Sequence, residues 1–283
     1  MNPFESVLSG SYTVGWAAVR AMPEGLARRV FRAGADAAVL RGGFEQLVAN
    51  LERVAPGQDL KREAVRSYAR YWCEVFRLPS MSRDRIVRGT TTTGEQVLRD
   101  SVAGDRGTIM VLPHTGNWDA AGAWCGFTGV PFATVAERLK PESVYEQFLA
   151  FRRSLGMEVL PLTGGDRPPS EVLEERLRDG GTICLLADRD LSKRGIDVDF
   201  FGSTARMPAG PAKLALETGA NLIPTTLSFT DDGWHIVFQD GIPHADLATM
   251  TQGVADAFAS EIAKHPADWH MLQKLWLEDL DPR

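Results

Sequence analysis

From Thr108 onward, short apolar runs alternate with longer stretches in which apolar residues return every three or four positions. Thr108-Ile109-Met110-Val111-Leu112-Pro113 represents the runs: aliphatic, partly β-branched and closed by proline. Such a run reads as a buried strand. Strands are expected over 108–112, 132–136, 157–160, 182–187, 222–228 and 234–238, and helices over 118–127, 143–155, 170–178, 208–218 and 248–264. This alternation predicts an α/β fold with a mostly parallel central sheet flanked by helices. The last two strands flank Asp231-Asp232-Gly233, which predicts a hairpin with a polar turn.

Ahead of this region the pattern is helical. Tyr12 to Ala38 mixes Val14, Trp16, Val19, Leu26, Val30 and Phe31 with Arg20, Arg28, Arg29 and Arg32, an amphipathic stretch broken near Pro23. Lys61 to Phe76 is a second helix, stopped by Leu78-Pro79. On it Arg62, Arg66 and Arg70 share one face, as a basic stripe or as solvated surface arginines.

Composition narrows the reading. A chain of 283 residues that is 44% hydrophobic can bury one large core. We expect a single domain over 1–283, with a mainly helical portion over 1–100 and an α/β core over 101–283. No apolar run approaches the ~20 residues of a spanning helix. The N-terminus lacks the basic start and apolar stretch of a secretory signal, so a cytoplasmic protein is expected. Cys73, Cys125 and Cys184 show no ligand spacing and suit a reducing compartment; no metal site is expected. The net charge of −6 argues against a nucleic-acid partner. Residues 1–100 nevertheless carry 15 Lys and Arg against 11 Asp and Glu, and the rest 16 against 26. A basic front end on an acidic chain predicts attraction to an anionic membrane surface, with ordinary helix-surface charge as the alternative.

The candidate chemistry begins at His114-Thr115-Gly116-Asn117-Trp118-Asp119, directly after the first strand. An imidazole at a strand end can take a proton from a hydroxyl near neutral pH. A carboxylate on its far nitrogen would fix the tautomer, and Asp119 is the candidate for that place. The structural alternative is a turn-capping histidine, with Asp119 favouring a helix N-terminus. Two other strands also end in candidate residues, Glu137 after 132–136 and Asp188 after 182–187. Ligands of open α/β sheets bind beyond the carboxyl ends of the strands, so the three segments converge. The chain has no Gly-x-Ser-x-Gly elbow, Walker loop, dinucleotide glycine fingerprint or His-Glu-x-x-His, which argues against a serine hydrolase, nucleotide hydrolase, dehydrogenase or zincin.

The His114 segment resembles the histidine-x4-aspartate motif of the glycerolipid and lipid A acyltransferases. Ala187-Asp188-Arg189-Asp190-Leu191 with Val198-Asp199-Phe200-Phe201-Gly202 resembles a third block of the lipid A lauroyl/myristoyl group. Pro211-Ala212-Lys213-Leu214-Ala215 leading into Thr218-Gly219-Ala220-Asn221-Leu222-Ile223-Pro224 resembles a fourth, and the tail His265-Pro266-Ala267-Asp268-Trp269-His270 fits as well. The resemblance runs from about Tyr68 to Trp276. Within the group, Ala136-Glu137-Arg138 and the wording of the third block are most similar to actinobacterial enzymes that acylate phosphatidylinositol mannosides. Asp188-Arg189-Asp190 stands where glycerol-phosphate acyltransferases carry a Glu-Gly-Thr-Arg-like block, which disfavours a simple glycerol phosphate acceptor.

The resemblance implies an enzyme that moves a fatty acyl chain, expected to be palmitoyl, from acyl-CoA to a mannose hydroxyl of a mannosylated phosphatidylinositol lipid. It would work peripherally on the cytoplasmic face of the membrane and need no cofactor beyond acyl-CoA as co-substrate. His114 would be the general base and Asp119 its partner. Glu137 and Asp188 would grip the mannose ring and Arg152 would organise them. Arg189 joins these as a substrate-binding candidate, with a structural pair to Asp190 as its alternative. Trp118, Trp124, Phe127 and Phe148 could line the acyl channel or simply pack the core. Two other functions remain open at this point: a lipid A-type transferase acting on another glycolipid, and a non-catalytic lipid carrier.

Overall fold

The computed structural model describes residues 15–136, 142–190 and 194–280. The front end is helical. Helix α1 (15–21) and α2 (Glu24–Arg41) are separated at Pro23, which cannot continue a helix in its interior. Helices α3 (Glu45–Val54), α4 (Lys61–Arg77) and α5 (Arg83–Gly89) follow. Then come β1 (Thr90–Thr93), α6 (Glu95–Ala103), β2 (Thr108–Leu112), α7 (Trp118–Phe127), β3 (Ala133–Ala136), α8 (Glu142–Ser154), β4 (Glu158–Pro161), α9 (Pro169–Arg178) and β5 (Thr182–Leu186). The chain closes with the hairpin β6 (Ile196–Phe200) and β7 (Ser203–Met207), then α10 (Gly210–Thr218), β8 (Asn221–Phe229), β9 (Trp234–Phe238) and α11 (Leu247–Ile262). The expected α/β fold is present, and from Thr108 onward the strand and helix limits read from the pattern agree with these to within two residues.

The main sheet has the order β1-β9-β8-β2-β5-β3-β4. Strands β2, β3, β4, β5 and β8 run parallel, and β9 returns antiparallel to β8 as the expected hairpin. β2 lies in the middle with every residue buried. Its alternate side chains serve two cores. Met110 and Leu112 join Tyr71, Trp124 and Phe148 on one face, while Ile109 and Val111 join Leu177, Phe258 and Trp276 on the other. This two-sided burial is why the strand reads as a continuous apolar run rather than an alternating one.

The pattern did not predict β1 or the β6–β7 hairpin. β1 is four threonines on the sheet edge, half-buried at alternate positions, so its β-branching carries the strand tendency without an apolar signal. The basic stripe of α4 is largely committed inside the fold. Arg62 and Arg66 both bind Asp36 of α2, and Arg70 binds Glu74 and the carbonyls of Thr230 and Gly233 in the β8–β9 turn. Arg66 and then Arg62 hold the Asp36 carboxyl well below the usual carboxylate range. Among the described residues no helix is long and apolar enough to cross a membrane.

Candidate active site

The centre is built on the pairing of β2 with β5. Their parallel register sets Thr108 against Thr182 and Leu112 against Leu186. Two residues past each strand, the same register brings His114 to Asp188. The Asp188 carboxylate receives His114 Nδ1 at 2.5 Å on Oδ1 and the His114 backbone N–H at 2.9 Å on Oδ2. Asp188 is fully buried, whereas the His114 side chain keeps 31% of its surface exposed. One end of the imidazole is therefore anchored, and the Nε2 edge is left for a substrate proton.

Burial pushes the His114 pKa down, but the charge and hydrogen bond of Asp188 outweigh it and the net direction is up; Arg189 opposes weakly. Asp188 shows the reverse balance: burial raises its pKa, while His114 and the donors around it bring it below the ordinary carboxylate range. The two groups titrate as a pair, and the ion-pair form is the favoured proton-bound state.

Asp119 is not the partner of His114. It sits in the first turn of α7, 1% exposed, and binds Arg152 Nε at 2.7 Å and the Tyr71 hydroxyl at 3.1 Å. Burial would lower the Arg152 pKa, but the Asp119 charge and hydrogen bond outweigh it and raise it further. Burial, then the Asp119 charge, likewise raises Tyr71 well above its ordinary value. Arg152 is thus locked on Asp119 and does not organise Asp188 for a sugar. Nor is Asp188 free to grip a ring, because its oxygens are taken by His114 and by the indole of Trp269.

Glu137 lies outside the described residues. Arg189 is half-buried, forms no hydrogen bond or ion pair among the described residues, and is close enough for His114 to feel its charge. The alternative pair with Asp190 is not formed; Asp190 instead accepts the Gly195 backbone N–H at 2.9 Å. Of the aromatic candidates, Trp118 meets the His114 ring edge-on at 5.5 Å between centroids. Trp124 and Phe148 are core residues, and Phe127 packs against the same core. Phe148 also lines a cavity of about 100 Å³ with Tyr71, Trp72, Tyr145, Leu149 and Arg152, beside the Asp119 cluster.

The loop from strand to helix is fixed by small, specific contacts. Asn117 caps α7 through Ala120 N–H at 3.0 Å, and its amide donates to buried Glu74 at 2.9 Å. Gly116 has φ +54°, and a Cβ there would come within 3.0 Å of Leu227. Both the positive φ and the close approach favour glycine there. The far wall, around His270, carries no signal in the hydrophobic pattern. His270 donates its backbone N–H to the His114 carbonyl at 2.8 Å, and its ring, 5% exposed, meets Ser67 Oγ at 2.9 Å. Burial, then the charge of His114, pushes the His270 pKa down to about 3, so it stays neutral. No periodicity marks this residue; the resemblance of the tail motif was the one available signal.

A strand-end imidazole backed by a buried carboxylate can activate a hydroxyl for attack on an acyl carbon. Comparison with known proteins gives the family. The family described as bacterial lipid A biosynthesis acyltransferase matches residues 7–278. The chain is similar to phosphatidylinositol mannoside acyltransferase from Mycolicibacterium smegmatis, with 52% identity over 277 residues covering 95% of this chain and 91% of the relative. It is also similar to the protein of that name from Mycobacterium tuberculosis strain CDC 1551 / Oshkosh, with 50% identity over 280 residues covering 95% and 89%. The chain belongs to the bacterial lipid A biosynthesis acyltransferase family and is an acyltransferase.

Proposed function

We propose that the chain transfers a fatty acyl group, of palmitoyl length, from acyl-CoA to a mannose hydroxyl of a phosphatidylinositol mannoside. The acceptor rests on the names of relatives about 50% identical over 95% of the chain. The chemistry rests on one observation above the others, the 2.5 Å contact between His114 Nδ1 and buried Asp188. As the acceptor oxygen bonds to the thioester carbon, its proton passes to His114 Nε2. Asp188 stabilises the imidazolium that forms. The tetrahedral intermediate then breaks its C–S bond, and the imidazolium returns the proton to the leaving CoA thiolate. A base of this kind contributes ~10²–10⁴ in rate. Arg189 is the candidate cation for the donor phosphates, and Glu137 stays a candidate for the sugar.

Both lipids reside in a bilayer or partition into one, so the protein would dock on an anionic surface, which we assign to the cytoplasmic face. Helix α2 supports this: Leu26, Val30 and Leu40 are exposed beside Arg29, Arg32 and Arg41. The deciding assay uses purified protein and labelled palmitoyl-CoA with mannosylated and non-mannosylated inositol lipids and a lipid A-type acceptor. Labelled product and CoA release only with the mannosylated lipids are expected. Preference for the lipid A-type acceptor would replace the acceptor assignment, and tight binding without CoA release would mean a carrier.

A further inference from the structure

The tail beyond α11 runs back beside the His114 loop as a strap. Gly116 N–H donates to the Asp268 carbonyl at 2.9 Å, His270 N–H donates to the His114 carbonyl at 2.8 Å, and Thr115 and Trp269 pair as an antiparallel bridge between them. The strap also reaches the carboxylate. Trp269, fully buried, sends its indole N–H to Asp188 Oδ2 at 3.0 Å, the oxygen that already accepts the His114 backbone N–H. A carboxylate turns easily about its last torsion, which has broad minima. Two donors on Oδ2 remove that freedom and leave Oδ1 facing the imidazole. The indole is itself held by ring contacts with Phe200 at 5.9 Å and Trp276 at 6.1 Å.

We infer that Trp269 is a positioning residue for acyl transfer, its indole N–H orienting Asp188 toward His114. The inference rests on the proposed role of His114 as base. Its signature is in the pH profile. The base must be neutral, so activity falls as pH drops through the apparent value of the His114–Asp188 pair. A donor to the charged carboxylate favours the ionised form. Without it, Asp188 holds its proton, and the imidazolium beside it, more tightly. The acid limb should therefore move to higher pH.

The test replaces Trp269 in two ways, as Trp269→Phe and with 3-benzothienylalanine, whose sulfur removes the N–H while keeping the ring size. Trp276→Phe is the control. Trp276 is equally buried in the same cluster, but its indole donates to the Phe200 carbonyl at 2.8 Å and not to Asp188. With palmitoyl-CoA and vesicles containing phosphatidylinositol mannoside, both Trp269 replacements should lower kcat about 10- to 100-fold, the scale of a misplaced catalytic group. They should leave KM for palmitoyl-CoA unchanged and raise the acid limb by roughly half a unit. Trp276→Phe should lower Tm and leave the limb in place. If Trp269→Phe does not fold, the isosteric replacement carries the test. An unmoved limb in the Trp269 series, beside an inactive His114→Ala, overturns the positioning role alone. Wild-type turnover in His114→Ala overturns the base reading and the positioning role with it.

Discussion

Asp119 and Asp188 make an instructive pair. Both are almost fully buried at the same edge of the sheet, and each binds one basic side chain and one aromatic donor: Arg152 and Tyr71 for Asp119, His114 and Trp269 for Asp188. The carboxylates are chemically alike; the partners are not. A guanidinium does not give up its proton in a protein, so the Asp119–Arg152 pair is a fixed strut. An imidazole changes charge near neutral pH, so the Asp188–His114 pair can accept and return a proton. The partner, more than the motif spacing, separates the chemical carboxylate from the structural one.

The largest effects should come from the proton-handling pair. Asp188→Asn is expected to lower kcat by about 10⁴-fold, because the amide no longer selects the Nδ1–H tautomer. His114→Ala should lose ~10²–10⁴ of the rate. Both should remain folded by circular dichroism. Steady-state rates checked against Tm decide the matter. An active, folded Asp188→Asn would return the partner role to another residue and break the comparison at its stronger end.

Asp119 should fail differently. Removing one member of a buried ion pair costs about 3–5 kcal/mol, since it leaves the other charge uncompensated. Asp119→Ala should therefore lose stability of that order in denaturant titration, with the surviving folded fraction still turning over. Arg152→Met with Asp119→Leu, which removes both charges, should recover part of the loss. Full stability with abolished turnover in Asp119→Ala would make Asp119 a chemical residue after all.

These different fates explain how much could be read from sequence. His114 was legible because an apolar strand delivered it to a turn, and Asp188 was legible as a strand-end carboxylate for the same reason. Their pairing was not, because parallel register arises from long-range contacts. A clue was present: His114 lies as far beyond Thr108 as Asp188 lies beyond Thr182, and those two threonines are in register. Asp119 was assigned to His114 on spacing, but the first turn of α7 aims it at Tyr71 and Arg152. Trp269 and His270 carried no periodic signal, since they act through one indole N–H and one backbone N–H. The sheet was readable where strands are apolar on both faces and unreadable at β1, where four threonines form an edge.

The pH dependence sharpens the contrast on a smaller scale. Asp188 raises the His114 pKa above its ordinary value of 6.5, so the acid limb of kcat/KM should lie above that value. The linked stability follows the same signs. The raised His114 contributes stability below its unfolded pKa, and this is lost as pH rises through the folded one. The depressed Asp188 contributes above its unfolded pKa, and this is lost as pH falls. Arg152 adds no limb in this range. A kcat/KM profile with its acid limb below 6.5 would mean that Asp188 does not hold the imidazolium as the geometry implies.

The smallest effect concerns arginines, where the same distinction between committed and free partners applies. Arg28 reaches Glu24 and Asp232, and Arg66 is bound to Asp36, so charge reversal at either would disturb the fold. Arg29 and Arg32 are exposed on α2 with no ion pair among the described residues. Each basic residue near an anionic surface is worth ~1 kcal/mol, and the attraction decays over a Debye length of about 10 Å at 0.1 M salt. Arg29→Glu with Arg32→Glu should therefore weaken binding to phosphatidylinositol-rich liposomes by at least tenfold without lowering Tm. Raising salt should weaken the wild type in the same direction. Activity on detergent-dispersed acceptor should change far less, because docking is then unnecessary. Sedimentation with liposomes reads the first two effects. Binding indifferent to both salt and the double substitution would exclude electrostatic docking through α2 and leave the exposed Leu26, Val30 and Leu40, or another face, to hold the surface.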